Sequence, residues 1–225
     1  MFASATAAFP QMFTPPFRAV LIKSLGLTFA LLVLMWIGLD KIIIGTIAVP
    51  YPWLASILSF LTGLGLMIGL AFFIAPISSL VAGFYLDDLA EVVEKDIGIQ
   101  GQALPAGQAM WLASKFALVS LLVNAFALAV FLLPGVNIAV FFLANAYLLG
   151  REYFELASLR FRSLAETHEL RRRNRFYIFV CGLLIAGFVA IPIVNLLTPL
   201  FGTAFMVRIH ARLAREDRLL LQAGR

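Results

Sequence analysis

The chain has 225 residues, of which 62% are hydrophobic and only 13% charged. Soluble domains carry about a quarter charged residues, so this composition excludes an ordinary soluble enzyme and points to an all-α integral membrane protein. The net charge of +5 reads as a record of loop orientation, not as a nucleic-acid surface, and no nucleic-acid partner is expected.

Residues 1–17 lack the basic front of a secretory signal: Pro10, Pro15 and Pro16 come before the first basic residue, Arg18. They read as an interfacial lead-in, amphipathic or irregular. No charge lies between Lys23 and Asp40, so with Lys23 snorkelling residues 18–48 form a first long transmembrane helix. Pro50-Tyr51-Pro52 forces a turn. Residues 53–86 are again uncharged and would make about 50 Å of helix, against a hydrocarbon core about 30 Å thick. This second long helix must tilt, kink at Ala75-Pro76, or run into the headgroup zone. Trp36, Tyr51 and Trp53 read as an interfacial aromatic belt. From 87 to 115 the chain mixes Leu89, Val92 and Val93 with Asp87, Asp88, Glu91, Glu94 and Asp96, the pattern of an interfacial segment.

Two further uncharged runs follow, 116–150 and 176–207. Each is too long for one crossing and short for two, which together need about 40 residues. Each carries a turn signal near its middle, Pro134-Gly135-Val136-Asn137 and Pro192-Ile193-Val194-Asn195. Two helical hairpins are predicted, each entering and leaving on one side and penetrating the bilayer partway; two tightly connected full crossings are the alternative. The shared Pro-x-Val-Asn makes the hairpins weak repeats of one another. A basic segment, 151–175, separates them and a tail, 208–225, closes the chain. In this topology 16 of the 17 Lys and Arg share one side, which positive-inside bias assigns to the cytoplasm together with both termini. A turn that stops at membrane depth needs cover for its backbone groups. Ala139, Ala144, Ala146, Gly202 and Ala204 allow close helix contact, and a symmetric homo-oligomer supplying that cover is expected.

Arg18 is the leading anion-binding candidate. Pro15-Pro16 starts a helix and places Arg18 in its first turn, where free N–H groups and a guanidinium fork suit an oxyanion; lipid phosphate is the blander ligand. Lys23 is a second cation nearby in sequence. Asn124 and Asn145 are amides within apolar runs and fit interhelical bonds or a pore lining, whereas Asn137 and Asn195, close after proline, fit turn caps. Glu152, Glu155 and Arg160, with Arg151 and Arg162, are candidates for an ion-pair gate, set against a plain solvated helix. Arg171-Arg172-Arg173 with Arg175 reads as an orientation patch touching anionic headgroups. The two histidines, His168 and His210, lack the paired spacing of a zinc enzyme. With no Gly-x-Ser-x-Gly elbow and no phosphate-binding loop, no catalytic residue, metal or cofactor is expected. The lone Cys181 allows no intrachain disulfide.

Four features together resemble the CysZ-like sulfate permeases, grouped with the etoposide-induced 2.4 membrane proteins. They are Pro15-Pro16-Phe17-Arg18, Ala75-Pro76 with Leu80 and Leu89, Leu133-Pro134-Gly135-Val136 with Tyr153-Phe154-Glu155, and Ile191-Pro192-Ile193-Val194-Asn195-Leu196 with Pro199. Their order and spacing cover about residues 15–210. Ala19 stands where sulfate-type members often have a second arginine, and Ser78-Ser79 where they often have Asn. The resemblance implies two long transmembrane helices, two partly penetrating hairpins, and sulfate (or related oxyanion) uptake across the bacterial inner membrane for cysteine synthesis. The rival reading is a non-transporting membrane-shaping or scaffold protein whose hairpins act as wedges among membrane lipids.

Overall fold

The computed structural model describes residues 1–46, 51–54, 56–57, 60–61, 63–64, 85–105, 107–108, 111 and 137–223. Among them the regular structure is entirely helical: α1 (Phe2–Gln11), α2 (Pro15–Thr46), α3 (Leu86–Asp96), α4 (Asn137–Leu159), α5 (Leu164–Arg173), α6 (Arg175–Val189), α7 (Pro192–Asn195) and α8 (Thr198–Ala223). The kink expected at Ala75-Pro76, the Pro134-Gly135-Val136 turn and the first arm of the first hairpin lie outside the described residues. The chain forms two compact units, Ala19–Phe84 and a larger one made of Met1–Arg18 with Tyr85–Arg225.

The smaller unit is described mainly through α2. Val20, Ser24, Thr28 and Leu32 are buried and recur every fourth residue, so they form one stripe. Ile22, Phe29, Leu34 and Ile37 are exposed. A helix with an apolar exposed face is at home against hydrocarbon. Among the described residues, Pro15–Met35 is the one stretch long and apolar enough to cross a membrane by length and composition.

The larger unit is organised around α8, which packs on α1, α3, α4 and α6. Its inner face, Phe205, Met206, Ile209 and Leu213, is buried together with Leu89 and Val93 of α3, Phe154 of α4, Ala8 of α1 and Met12 just after it. The most extensive contact joins α4 to α6. Glycine makes it possible: a Cβ on Gly182 would land on the backbone carbonyl of Ala146, and one on Gly150 would lie 2.7 Å from the Ile178 carbonyl oxygen. Backbones thus touch directly, as small residues permit. After Ala190 and Ile191 the chain turns through α7, where Thr198 donates to the Asn195 side chain at 3.2 Å. It packs back with Phe188 stacked on Phe201, centroids 4.1 Å apart. At 15 residues α6 is about 22 Å long, less than a hydrocarbon core.

The charges at Arg151 and Arg208 do not end their helices: α4 runs on to Leu159 and α8 to Ala223. Charge decides where a helix meets polar surroundings; glycine, proline and caps decide where it stops. Gly98, at φ 71°, stops α3 in the left-handed conformation that glycine adopts without penalty. Ser163 starts α5 with a capping box: its N–H donates to Glu166 Oε2 at 2.9 Å and its hydroxyl accepts from the Glu166 N–H. The Ser163 hydroxyl, which donates to Glu166 Oε2 at 2.7 Å, and then the Ser163 N–H hold the Glu166 carboxyl below its ordinary pKa. Asp217 of α8 ties down both ends of α5, accepting from Arg162 just before it at 3.3 Å and from Arg173 at its far end at 3.4 Å.

Candidate functional site

The charged side chains of the larger unit gather where the apolar arms give way to polar helix. The gate residues predicted along one stretch of sequence separate there into two clusters.

Arg160, near the end of α4 and buried, reaches α3. Its Nε and Nη2 donate to the two carboxylate oxygens of Glu94, the latter at 3.2 Å, and Nη1 pairs with Asp87. Glu94 Oε2, which takes Nη2, also accepts from the Gly101 N–H at 3.0 Å, and the Arg160 carbonyl accepts from the Gln102 N–H at 2.8 Å. The loop after α3 is thereby wrapped onto the pair. Gly101 has no room for a side chain: a Cβ would lie 2.9 Å from Glu94 Oε1 and 3.0 Å from both Arg160 Cβ and the Phe161 ring. Burial opposes the Arg160 charge, but the bonds to Glu94 and Asp87 outweigh it and hold its pKa above the ordinary value.

Glu155, one helical stretch earlier, faces the other way. It accepts from Arg151 at 3.2 Å, a turn before it on α4, and from Arg171 on α5, with His168 Nε2 at 3.6 Å. Glu152 lies beside this cluster. Burial, and then the Glu155 charge, push its carboxyl up to about 7. Tyr153, between them, is also driven upward by burial and by Glu152. Its ring packs on Gly202, where a Cβ would sit 2.8 Å from the ring carbons.

A third cluster escaped sequence reasoning. Arg208 of α8 donates to the Gln11 side chain at 2.9 Å and pairs with Asp96, joining three helices far apart in sequence. The partners Asp87, Glu94 and Asp96 had been visible only as the polar face of an interfacial helix.

Arg18 is exposed in the first turn of α2, its N–H bonded to Thr14 at 2.9 Å. Lys23, within the smaller unit, is exposed too, and neither forms an ion pair with a described acid. Asn145 donates to the Phe141 carbonyl of its own helix at 2.8 Å, a bond within α4 and not between helices. Asn124 lies outside the described residues. Of the small residues read as contact surface, Ala146, Gly202 and Ala204 are buried within this chain, and Ala139 is exposed. Among the described residues no three His, Cys, Asp or Glu side chains group as metal ligands.

What this arrangement can do chemically is hold fixed, paired charge at the bases of apolar helices, with exposed cations near the start of α2. No curated protein and no solved structure matches the chain. The family model described as sulfate transporter CysZ/etoposide-induced protein 2.4 matches residues 4–199, and with so much of its length matched the chain belongs to that family.

Proposed function

We propose that this chain is a permease for sulfate or a related oxyanion in the bacterial inner membrane, feeding cysteine synthesis. The observation that carries the reading is the family match over residues 4–199. The exposed Arg18, at the start of the helix most suited to crossing a bilayer, supports it as the first contact for the anion, with Lys23 as a second cation. The Glu155 cluster, in which one carboxylate holds Arg151 and Arg171, is the gate candidate, with Glu152 beside it. Arg160 is already committed to Glu94 and Asp87 and serves as an anchor. Both hairpins enter from the cytoplasmic side, where both termini lie. Exposed apolar side chains such as Phe141 and Leu143 on α4 are offered to lipid and to further copies in a homo-oligomer.

Radiolabelled sulfate uptake into proteoliposomes tests this directly. Flux above protein-free liposomes, saturable and inhibited by related oxyanions, is the expected outcome. Absence of flux from correctly inserted protein would favour a membrane-shaping scaffold. Mass measurement in nanodiscs decides the oligomer: a stable monomer removes that part of the reading.

A further inference from the structure

Where α4, α5 and α6 meet, a cavity of about 380 Å3 opens between Arg151, His168, Arg171, Arg172 and Arg175. The rest of its wall is Tyr147, Ile178 and Phe179, two of them wholly apolar. The acid at this corner is Glu155, which takes Arg151 and Arg171. Glu169 takes Arg172 and Arg173, each a turn further along α5. Arg175 forms no ion pair with a described acid, so the corner keeps an excess of positive charge.

The level of this cavity matters as much as its charge. The uncharged run of α6 begins at Phe176, immediately after Arg175. Phe176 is exposed, as are Leu143 and Tyr147 along α4. The arginines therefore crown an apolar flank of two packed helices, at the height where headgroups meet hydrocarbon. A free oxyanion is best held by directed N–H groups on all sides and gains nothing from Ile178 and Phe179. A molecule anionic at one end and hydrocarbon at the other uses both halves of the lining.

We propose that this cavity seats the phosphate of an anionic phospholipid, with an acyl chain lying along the exposed flank of α4 and α6. Arg175 holds the phosphate together with Arg172, which is shared with Glu169, Arg151 and Arg171 are kept in place by Glu155, and Tyr147 and Phe179 border the glycerol level. The inference rests on the bilayer reading of the chain and not on which solute it conducts.

Native mass spectrometry of the full chain, released from mixed dioleoylphosphatidylglycerol and dioleoylphosphatidylcholine, counts what stays bound. The wild type retains phosphatidylglycerol in preference to phosphatidylcholine. The double variant R172Q/R175Q, altered at exposed positions, retains about tenfold less, while R212Q/R215Q, which removes equal charge from α8, retains as much as the wild type. Circular dichroism confirms that each variant is folded. Millimolar sulfate leaves the lipid count unchanged. Undiminished retention in R172Q/R175Q overturns the proposal. So does equal loss in both double variants, which marks diffuse adsorption, and so does displacement by sulfate, which marks a free-anion site. Sulfate flux run in parallel keeps the readings separate: lipid retention without flux strikes the permease reading alone.

Discussion

Arg160 and Glu94 stand 66 positions apart in the chain and meet through two parallel N–H···O bonds, with almost no solvent access to either side chain. A buried pair of this kind is weak evidence of net stability, because both charges were removed from water. What it does supply is a specific contact: two bonds from Arg160 to Glu94, with the Gly101 N–H on the same carboxylate, fix where α3 and the loop after it meet α4.

Breaking one half should therefore hurt more than replacing both. Arg160→Met leaves the Glu94 carboxylate buried with only the Gly101 N–H for company, and is expected to cost about 3–5 kcal/mol. Adding Glu94→Leu should recover most of that loss. Thermal unfolding in detergent across the double-mutant cycle measures the coupling. Additive losses would show that the two residues act independently.

The α4–α6 contact gives a sharper steric test. Gly→Ala within a helix normally stabilises by about 1 kcal/mol. At Gly182 the added methyl meets the Ala146 backbone, which cannot rotate away, so Gly182→Ala should destabilise by about 1–3 kcal/mol. Gly187, on the same helix, has open space around it, and Gly187→Ala should be neutral or stabilising. Equal behaviour of the two variants would contradict the close approach.

Glu152 makes stability depend on pH. Unfolded, the group ionises near its ordinary 4.5; folded, near 7. Between those values the folded chain holds a proton that the unfolded chain has released, so stability falls as pH rises through this window and the full penalty stands above it. Glu152→Gln should flatten that dependence and melt higher than the wild type at about pH 8, with the difference shrinking towards about pH 5. Parallel melting curves for the two proteins at every pH would show that Glu152 is not held in this state.

For the anion, Arg18→Gln should raise the half-saturating sulfate concentration about tenfold or more, the range for losing a hydrogen bond to a charged group. Arg18→Lys should restore part of it, since charge returns without the fork. Uptake into proteoliposomes at varied sulfate supplies both numbers. Unchanged saturation in Arg18→Gln moves the anion site elsewhere.

Hairpin depth is open to chemical labelling. On the proposed topology, single cysteines at 191 and 195, in the turn between α6 and α8, should react slowly with an impermeant maleimide applied from the side opposite the termini. Cys181 is fully buried and can stay in the background protein. Fast labelling of both positions would mean that the turn reaches the far side.

Helical class and the turn at Pro192 were legible because they rest on local signals: uncharged run length, proline, and the change from apolar to basic. The Arg151–Glu155 contact was legible as well, since residues four apart share a helix face. Arg160 was read as a partner of that same stretch, yet its acids come from α3. Nothing local distinguishes a buried arginine aimed at Glu94 from one aimed at Glu155. Gly150 and Gly182 went unnoticed for a related reason. In a chain this rich in small residues, composition does not say which ones face a neighbouring backbone. Ala146 and Gly202 were read as surface for another copy and are filled from within, by Gly182 and by the Tyr153 ring. Asn145, read as a bond between helices or a pore lining, donates one turn back on its own helix.

The Asp217 clamp differs in kind from the Arg160 anchor, and ionic strength separates them. Asp217, Arg162 and Arg173 are all partly open to solvent, so added salt screens their attraction, whereas Arg160 and Glu94 are shielded from it. In concentrated salt α5 can lift from α8 while α3 stays fixed to α4. Amide hydrogen exchange is expected to rise along Leu164–Arg173 as salt is added, so the opening of that short basic helix would respond to the surrounding electrolyte.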